Sequence, residues 1–270
     1  MALTAFQRDV CRLLAGNRLR SGESYVAGAA ALNELLRAPR LSRDLDLFHD
    51  TEAALAASWV ADRSSLEGRG YRLSVVRERP TFVEVEVRRG DDSVVIQWSH
   101  ESAYRFFPLV QHAELGLALH PFDLATSKVL ALVGRVEARD FVDTLTCDRE
   151  VQPLGYLAWA ACGKDPGFSP TAILELAARS ARYSESELRG LDFEGDAPDA
   201  ASLARRWRAI LDTAREIVAA LPADEAGRAV LTSDGVPYRG QPAALREGLR
   251  RGELRYHEGR IRGAFPRIVR

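Results

Sequence analysis

The stretch RLSRDLDLFHD, residues 40–50, constrains this chain more than any other segment. Leu45, Leu47 and Phe48 read as a strand entering a core, yet Asp44 and Asp46 alternate with the leucines. Successive side chains of a strand point to opposite faces, so positions two apart share one. Asp44 and Asp46 are therefore expected side by side, with Leu45 and Leu47 turned inward. Carboxylates ~6–7 Å apart at their α-carbons repel unless positive charge lies between them. A hard divalent cation answers that repulsion, because Mg²⁺ takes carboxylate oxygen and keeps positions open for phosphate. The plainer alternative makes Asp44 a solvated residue at the strand start, paired with Arg40 or Arg43.

The surroundings of the pair decide which reading is fuller. Upstream, Ser24–Gly28 (SYVAG) is a short strand candidate that runs directly into a helix over Ala29–Arg37, ended by Pro39. A glycine at that junction lets backbone approach a phosphate, and the helix N-terminus offers free N–H groups with partial positive charge. Strand, glycine, helix and strand thus set a phosphate cradle beside a carboxylate pair.

Along the rest of the chain, residues 4–15 predict an amphipathic helix, and 51–68 another with Thr51 as its cap. Three strand-like runs follow, YRLSVVRE, TFVEVEVRR and SVVIQWS, with a hairpin turn at Arg89–Asp92. Helices are expected over Pro121–Val133 and Ala138–Cys147, joined through Gly134, and the pattern after residue 153 is mostly helical. A surface loop is expected over 190–200 and a small hairpin near Glu258-Gly259. The fold class is α+β: a lobe over 1–120 with a mixed sheet flanked by helices, then a mostly helical lobe over 121–270.

Taken together, AGAAALNELLRAPRLSRDLDLF resembles the signature of the nucleotidyltransferase superfamily, which has the DNA polymerase β-like fold. Within it the segment looks like the AbiEii/AbiGii group, toxin nucleotidyltransferases of type IV toxin–antitoxin systems. Arg40, Ser42, Asp44, Leu45, Asp46 and Leu47 match that group's second block, and Gly28, Ala31 and Leu32 match its first. Ala29 and Ala30 depart from it, removing a hydroxyl that helps hold a triphosphate. FDLATSKVLALVGRVEARDFVDTL, residues 122–145, resembles the group's later lysine helix and its R-D-x-x-D block.

The resemblance implies a Mg²⁺- or Mn²⁺-dependent transfer of NMP from an NTP to an acceptor hydroxyl. Asp44, Asp46, Lys128 and Asp143 would be catalytic, Asp140 being the alternative to Asp143. Gly28, Ala29, Arg40, Ser42, Lys128 and Arg139 would meet the nucleotide. Transfer of this type adds a third metal-binding carboxylate to Asp44 and Asp46. Glu86 is preferred over Glu84, with Gln97 standing where relatives carry an acid. The group further implies a tRNA acceptor and a separately encoded antitoxin. A small-molecule acceptor, or nucleotide or partner binding without catalysis, are the alternatives.

Composition narrows the field from the other side. A formal net charge of −1 gives no global basic field, and no apolar run reaches the ~20 residues of a membrane span. A cytoplasmic protein without a membrane partner is expected. Cys11, Cys147 and Cys162 lack metal or disulfide spacing and read as reduced thiols. Only Lys128 and Lys164 interrupt the arginine bias. From Arg239 to Arg270, nine arginines face three glutamates, a local patch open to an RNA backbone with Tyr256 and Phe265 as stacking candidates, to an acidic partner, or to solvent alone.

Overall fold

The computed structural model describes residues 3–179 and 183–266. Its elements run α1 (Ala5–Ser21), β1 (Ser24–Ala27), α2 (Gly28–Leu36), β2 (Asp44–His49), α3 (Glu52–Glu67), β3 (Arg72–Arg79), β4 (Phe82–Arg89), β5 (Asp92–His100), β6 (Tyr104–Arg105), β7 (Val110–His112) and β8 (Gly116–Ala118). There follow α4 (Pro121–Arg135), α5 (Ala138–Glu150), α6 (Leu154–Ala161), α7 (Pro170–Arg179), α8 (Glu185–Arg189), α9 (Ala200–Ala220), β9 (Ala229–Leu231), α10 (Pro242–Arg251), β10 (Arg255–His257) and β11 (Arg260–Ile261). The chain forms two compact units. The first holds the stretch up to Ala103 together with Pro108–His120; the second holds Tyr104–Phe107 and the stretch from Pro121 onward. No helix of the described residues is long and apolar enough to cross a membrane.

The first unit is a seven-stranded sheet in the order β3-β4-β5-β2-β1-β8-β7, with helices packed against it. It is mixed, because β2 runs parallel to β5 and β1 parallel to β8 while the remaining neighbours are antiparallel. α1 runs longer than its periodicity predicts. Its Thr4–Gln7 capping box fixes the start, and Gly22 closes it in the left-handed conformation. Thr51 caps α3 as expected, accepting from the Ala54 amide at 3.0 Å. Val83, Val85 and Val87 of β4 and Val94, Ile96 and Trp98 of β5 supply one face of the core.

That core holds a polar cluster the sequence did not announce. Asp62 of α3 is fully buried and accepts from Trp98 Nε1 at 2.9 Å and from Asn17 Nδ2 at 2.7 Å. Burial raises its carboxyl pKa, against the lowering effect of those hydrogen bonds. His49, the last residue of the acid strand, is buried on the leucine face of β2. Its Nδ1 lies 3.2 Å from the Ser99 carbonyl, and its Nε2 has no hydrogen-bond partner.

In the second unit, Tyr156, Trp159, Ile217, Leu221, Val230, Leu245 and Leu254 form a core between α6, α9, α10 and the β9–β10 ladder. A Cβ on Gly155 would meet Ala214 O at 2.8 Å and Ile217 Cβ at 2.7 Å, so α6 and α9 approach too closely for any other residue. Asp123 draws Tyr104–Phe107 into this unit: its buried carboxylate accepts the Phe106 and Phe107 amides at 2.9 and 3.0 Å and pairs with Lys164 Nζ at 2.9 Å. Two expectations fail here. The tail is not a hairpin, because β10 pairs with β9 and β11 with β6. Gly134 lies inside α4, and the break falls at Val136, which takes a φ of 54°.

Burial, then the nearby Arg18 charge, push the His49 pKa down from 6.5 to about 4, against the pull of the Ser99 bond. A depressed folded-state pKa means that the unfolded chain binds the proton first. Stability is then full above pH ~6.5 and falls as pH drops toward ~4, by roughly 3 kcal/mol at most. Urea unfolding midpoints of wild type and His49→Phe, followed across that window, should diverge in slope. Parallel curves would contradict the burial assigned to His49.

Candidate functional site

β1 and β2 pair antiparallel, with Ala27 opposite Asp46, and β1 ends at that row. The next residue, Gly28, turns the chain into α2 with a φ of +63°. A Cβ there would lie 1.7 Å from Asp46 Oδ2 and 2.6 Å from its carboxyl carbon, so the Asp46 side chain is packed on the Gly28 backbone. Ala27, the N-cap of α2, makes no side-chain hydrogen bond to the first turn. The leading amides of α2 carry the partial positive charge of a helix start. Ala29 and Ala30 are buried beneath that turn.

The alternation anticipated for β2 is present: Asp44 and Asp46 are half-buried on one face, while Leu45, Leu47 and His49 are buried on the other. Two carboxylates on one face supply the hard oxygen donors that Mg²⁺ or Mn²⁺ takes. They leave further positions to phosphate and water, which is the usual division for Mg²⁺. Among the described residues no group of three or more His, Cys, Asp or Glu gathers as a closed metal cage.

The register also shows why the third acid does not arrive. β5, the neighbour of β2, sets Gln97 opposite Asp46 and Val95 opposite Asp44. β4 lies one strand further out, with Glu84 opposite Gln97 and Glu86 opposite Val95. At ~4.8 Å between strands, Glu86 stands roughly 10 Å from β2. Glu86 instead pairs with Arg88 at 2.5 Å, a hydrogen bond that lowers its carboxyl pKa, and Gln97 Nε2 donates to Glu84 at 2.9 Å. Glu86 is thus not brought to the aspartate pair, because sheet order inserts β5 between them.

A different acid does feel Asp46. The Glu101 carboxyl, directly after β5, has its pKa raised by burial and by the Asp46 charge, against His100. Glu101 is not among the residues that the sequence motifs single out. The missed signal is its position four residues beyond Gln97.

Arg40 and Ser42 are buried at the entry to β2. Ser42 Oγ donates to the Asp44 carbonyl at 3.1 Å, and the Ser42 carbonyl accepts from Gln7 Nε2 at 2.7 Å. Arg40 Nη1 donates to the Leu41 carbonyl at 3.0 Å. These bonds shape the turn that presents Asp44.

In the second unit, the expected Lys128 and Asp143 come together on facing turns of α4 and α5. Lys128 Nζ lies 2.9 Å from Asp143 Oδ2 and 3.1 Å from Asp140 Oδ1, all three residues being buried. Arg135, two turns along the same face from Lys128, donates to Asp140 through Nε and Nη2, each at 3.1 Å. Arg139 is not in this cluster; its Nε lies 2.6 Å from Glu137 and it is half-exposed. Among the described residues, Lys128 and Arg135 face the Asp140 and Asp143 carboxylates. Burial alone would lower the Lys128 pKa, but the charges of Asp143 and Asp140 outweigh it and raise it above the ordinary lysine value.

In the arginine-rich tail, the Tyr256 hydroxyl is buried and its ring packs against the second unit's core, which removes it as a stacking platform. Phe265 is 79% exposed and keeps that role open. Arg246 and Arg251 pair with Glu216 and Glu247, while Arg267 and Arg270 lie outside the described residues.

Lys128 and Lys164 are the only lysines, so their ¹⁵Nζ signals give a two-line titration. Lys128 should titrate above Lys164, whose pKa burial lowers. Asp143→Asn should move Lys128 downward, because one opposing charge is lost while burial persists. An unmoved Lys128 would contradict the cluster.

Comparison with known protein families and with curated proteins found no match. Among solved structures, a candidate nucleotidyltransferase from H. pylori aligns with a TM-score of 0.50 at 14% identity, covering 81% of this chain and 97% of that one. JHP933 from Helicobacter pylori aligns at 0.49 and 14%, covering 78% and 91%. MenT4, a nucleotidyltransferase toxin from Mycobacterium tuberculosis H37Rv, aligns at 0.48 and 15%, covering 80% and 86%. The chain therefore has the α+β fold of a nucleotidyltransferase-like protein, a mixed sheet flanked by helices followed by a helical part.

Proposed function

We propose that this chain is a metal-dependent nucleotidyltransferase that moves an NMP from an NTP to an acceptor hydroxyl, as a toxin-like enzyme acting on tRNA. The observation that carries this reading is the contact of Asp46 with Gly28, which sets a carboxylate against the start of a helix. Asp44 and Asp46 would hold Mg²⁺ or Mn²⁺, and the backbone of Gly28 and Ala29 would receive the triphosphate. A bound cation would neutralise phosphate charge during in-line displacement. Arg40 and Ser42 hold the turn that aims Asp44 rather than reaching the nucleotide. In this reading Lys128 and Asp143 serve the same reaction, and Lys128 meets phosphate only when the Asp140–Asp143 clamp yields part of it.

The tRNA acceptor, the antitoxin partner and the narrower AbiEii/AbiGii grouping rest on the motif resemblance. The exposed Phe265 and the tail arginines support an RNA contact. A second reading, nucleotide binding without transfer, is favoured by Gln97, which occupies the row beside Asp46 with a neutral amide turned to Glu84.

Label transfer from each α-³²P-NTP to total tRNA, with Mg²⁺, tests the proposal. Wild type should label tRNA, and an Asp44→Ala/Asp46→Ala double variant should lose on the order of 10³-fold or more. NTP binding without label would select the second reading. Neither binding nor label from folded protein would overturn both.

A further inference from the structure

β3 is an outer strand of the first unit's sheet and pairs with β4 alone. Such an edge presents a row of unpaired backbone N–H and C=O groups. It is eight residues long, and every residue from Ser74 to Arg79 is exposed. The register slips between Val75 and Arg77, so Val76 is the extra residue of a bulge. Val75 and Val76 are 44% and 62% exposed, an apolar centre on a strand that also carries Arg72, Arg77, Glu78 and Arg79.

The charges flanking that centre are one-sided. Among the described residues, Arg72 and Arg79 have no carboxylate partner, and Arg77 rests over the Phe82 ring at 5.7 Å. The strand's one acid, Glu78, accepts from Trp59 Nε1 at 3.2 Å. Two copies pairing antiparallel about Val75–Val76 would set Arg72 against Arg79 twice, and like charges directly opposite destabilise a ladder. The edge is thus guarded against its own sequence yet open to the opposite charge. An RNA backbone would use the arginines but would gain nothing from exposed valines or an open amide row.

We infer that β3 is a docking strand for an extended, acidic and valine-like segment of a partner protein, added antiparallel to the sheet. Its arginines select the charge, the amide row supplies the hydrogen bonds, and Val75 and Val76 meet the partner's apolar positions. This docking does not depend on nucleotide transfer.

The test is hydrogen exchange of the full chain, read at β3, with a capped peptide of alternating glutamate and valine matching the eight residues of β3. At about ten times its Kd the peptide should slow β3 exchange roughly tenfold and leave β7 unchanged. An Arg72→Glu/Arg79→Glu variant should lose that protection, gain it with a lysine–valine peptide, and keep wild-type label transfer, whatever its level. The inference is overturned by unprotected β3 at millimolar peptide or by protection that ignores charge reversal. It is equally overturned if single-stranded RNA displaces the peptide, or if β3 is protected without peptide by a concentration-dependent dimer.

Discussion

The candidate site depends on one steric fact: the Asp46 carboxylate occupies the space where residue 28 would carry a Cβ. Glycine is required there twice over, for its positive φ and for that contact. The consequence is local and chemical. The antiparallel β1–β2 pair ends with a carboxylate against the start of α2. A negative group and a partly positive helix start side by side can share a cation and an anionic substrate. The buried leucine face of β2 holds the register, since a slip by one residue would turn both aspartates into the core.

The second unit uses opposite charges differently. Asp140 and Asp143 enclose Lys128, Arg135 closes the group from outside, and Asp123 does the same for Lys164. Buried charges persist when each is paired, and removing one partner leaves the other at a cost of roughly 3–5 kcal/mol. Lys128 is therefore a structural link between α4 and α5 before it is anything else, and any role toward phosphate competes with its two carboxylates.

What the sequence disclosed follows from how local each signal is. The D-x-D alternation, the Thr51 cap and the glycine before α2 are decided within a few residues, and each is found as expected. The third acid depends on strand order, and nothing in TFVEVEV says that β5 will stand between Glu86 and β2. The tail was misread for the same reason, since β10 and β11 find β9 and β6 rather than each other. Arg139 was expected at the nucleotide by resemblance, yet it lies beside Glu137, and Lys128 from another helix takes the Asp143 carboxylate. The family signal carried the fold, whereas partner geometry across elements had no local trace.

The most direct test of the central claim is Mn²⁺ binding followed by electron paramagnetic resonance, with and without a non-hydrolysable NTP. Wild type should bind Mn²⁺ more tightly when the nucleotide is present. Asp44→Asn/Asp46→Asn should lose most of the binding. Gly28→Ala should lose the nucleotide enhancement, because its Cβ must displace the Asp46 carboxylate. Equal Mn²⁺ binding in all three folded proteins would contradict the account.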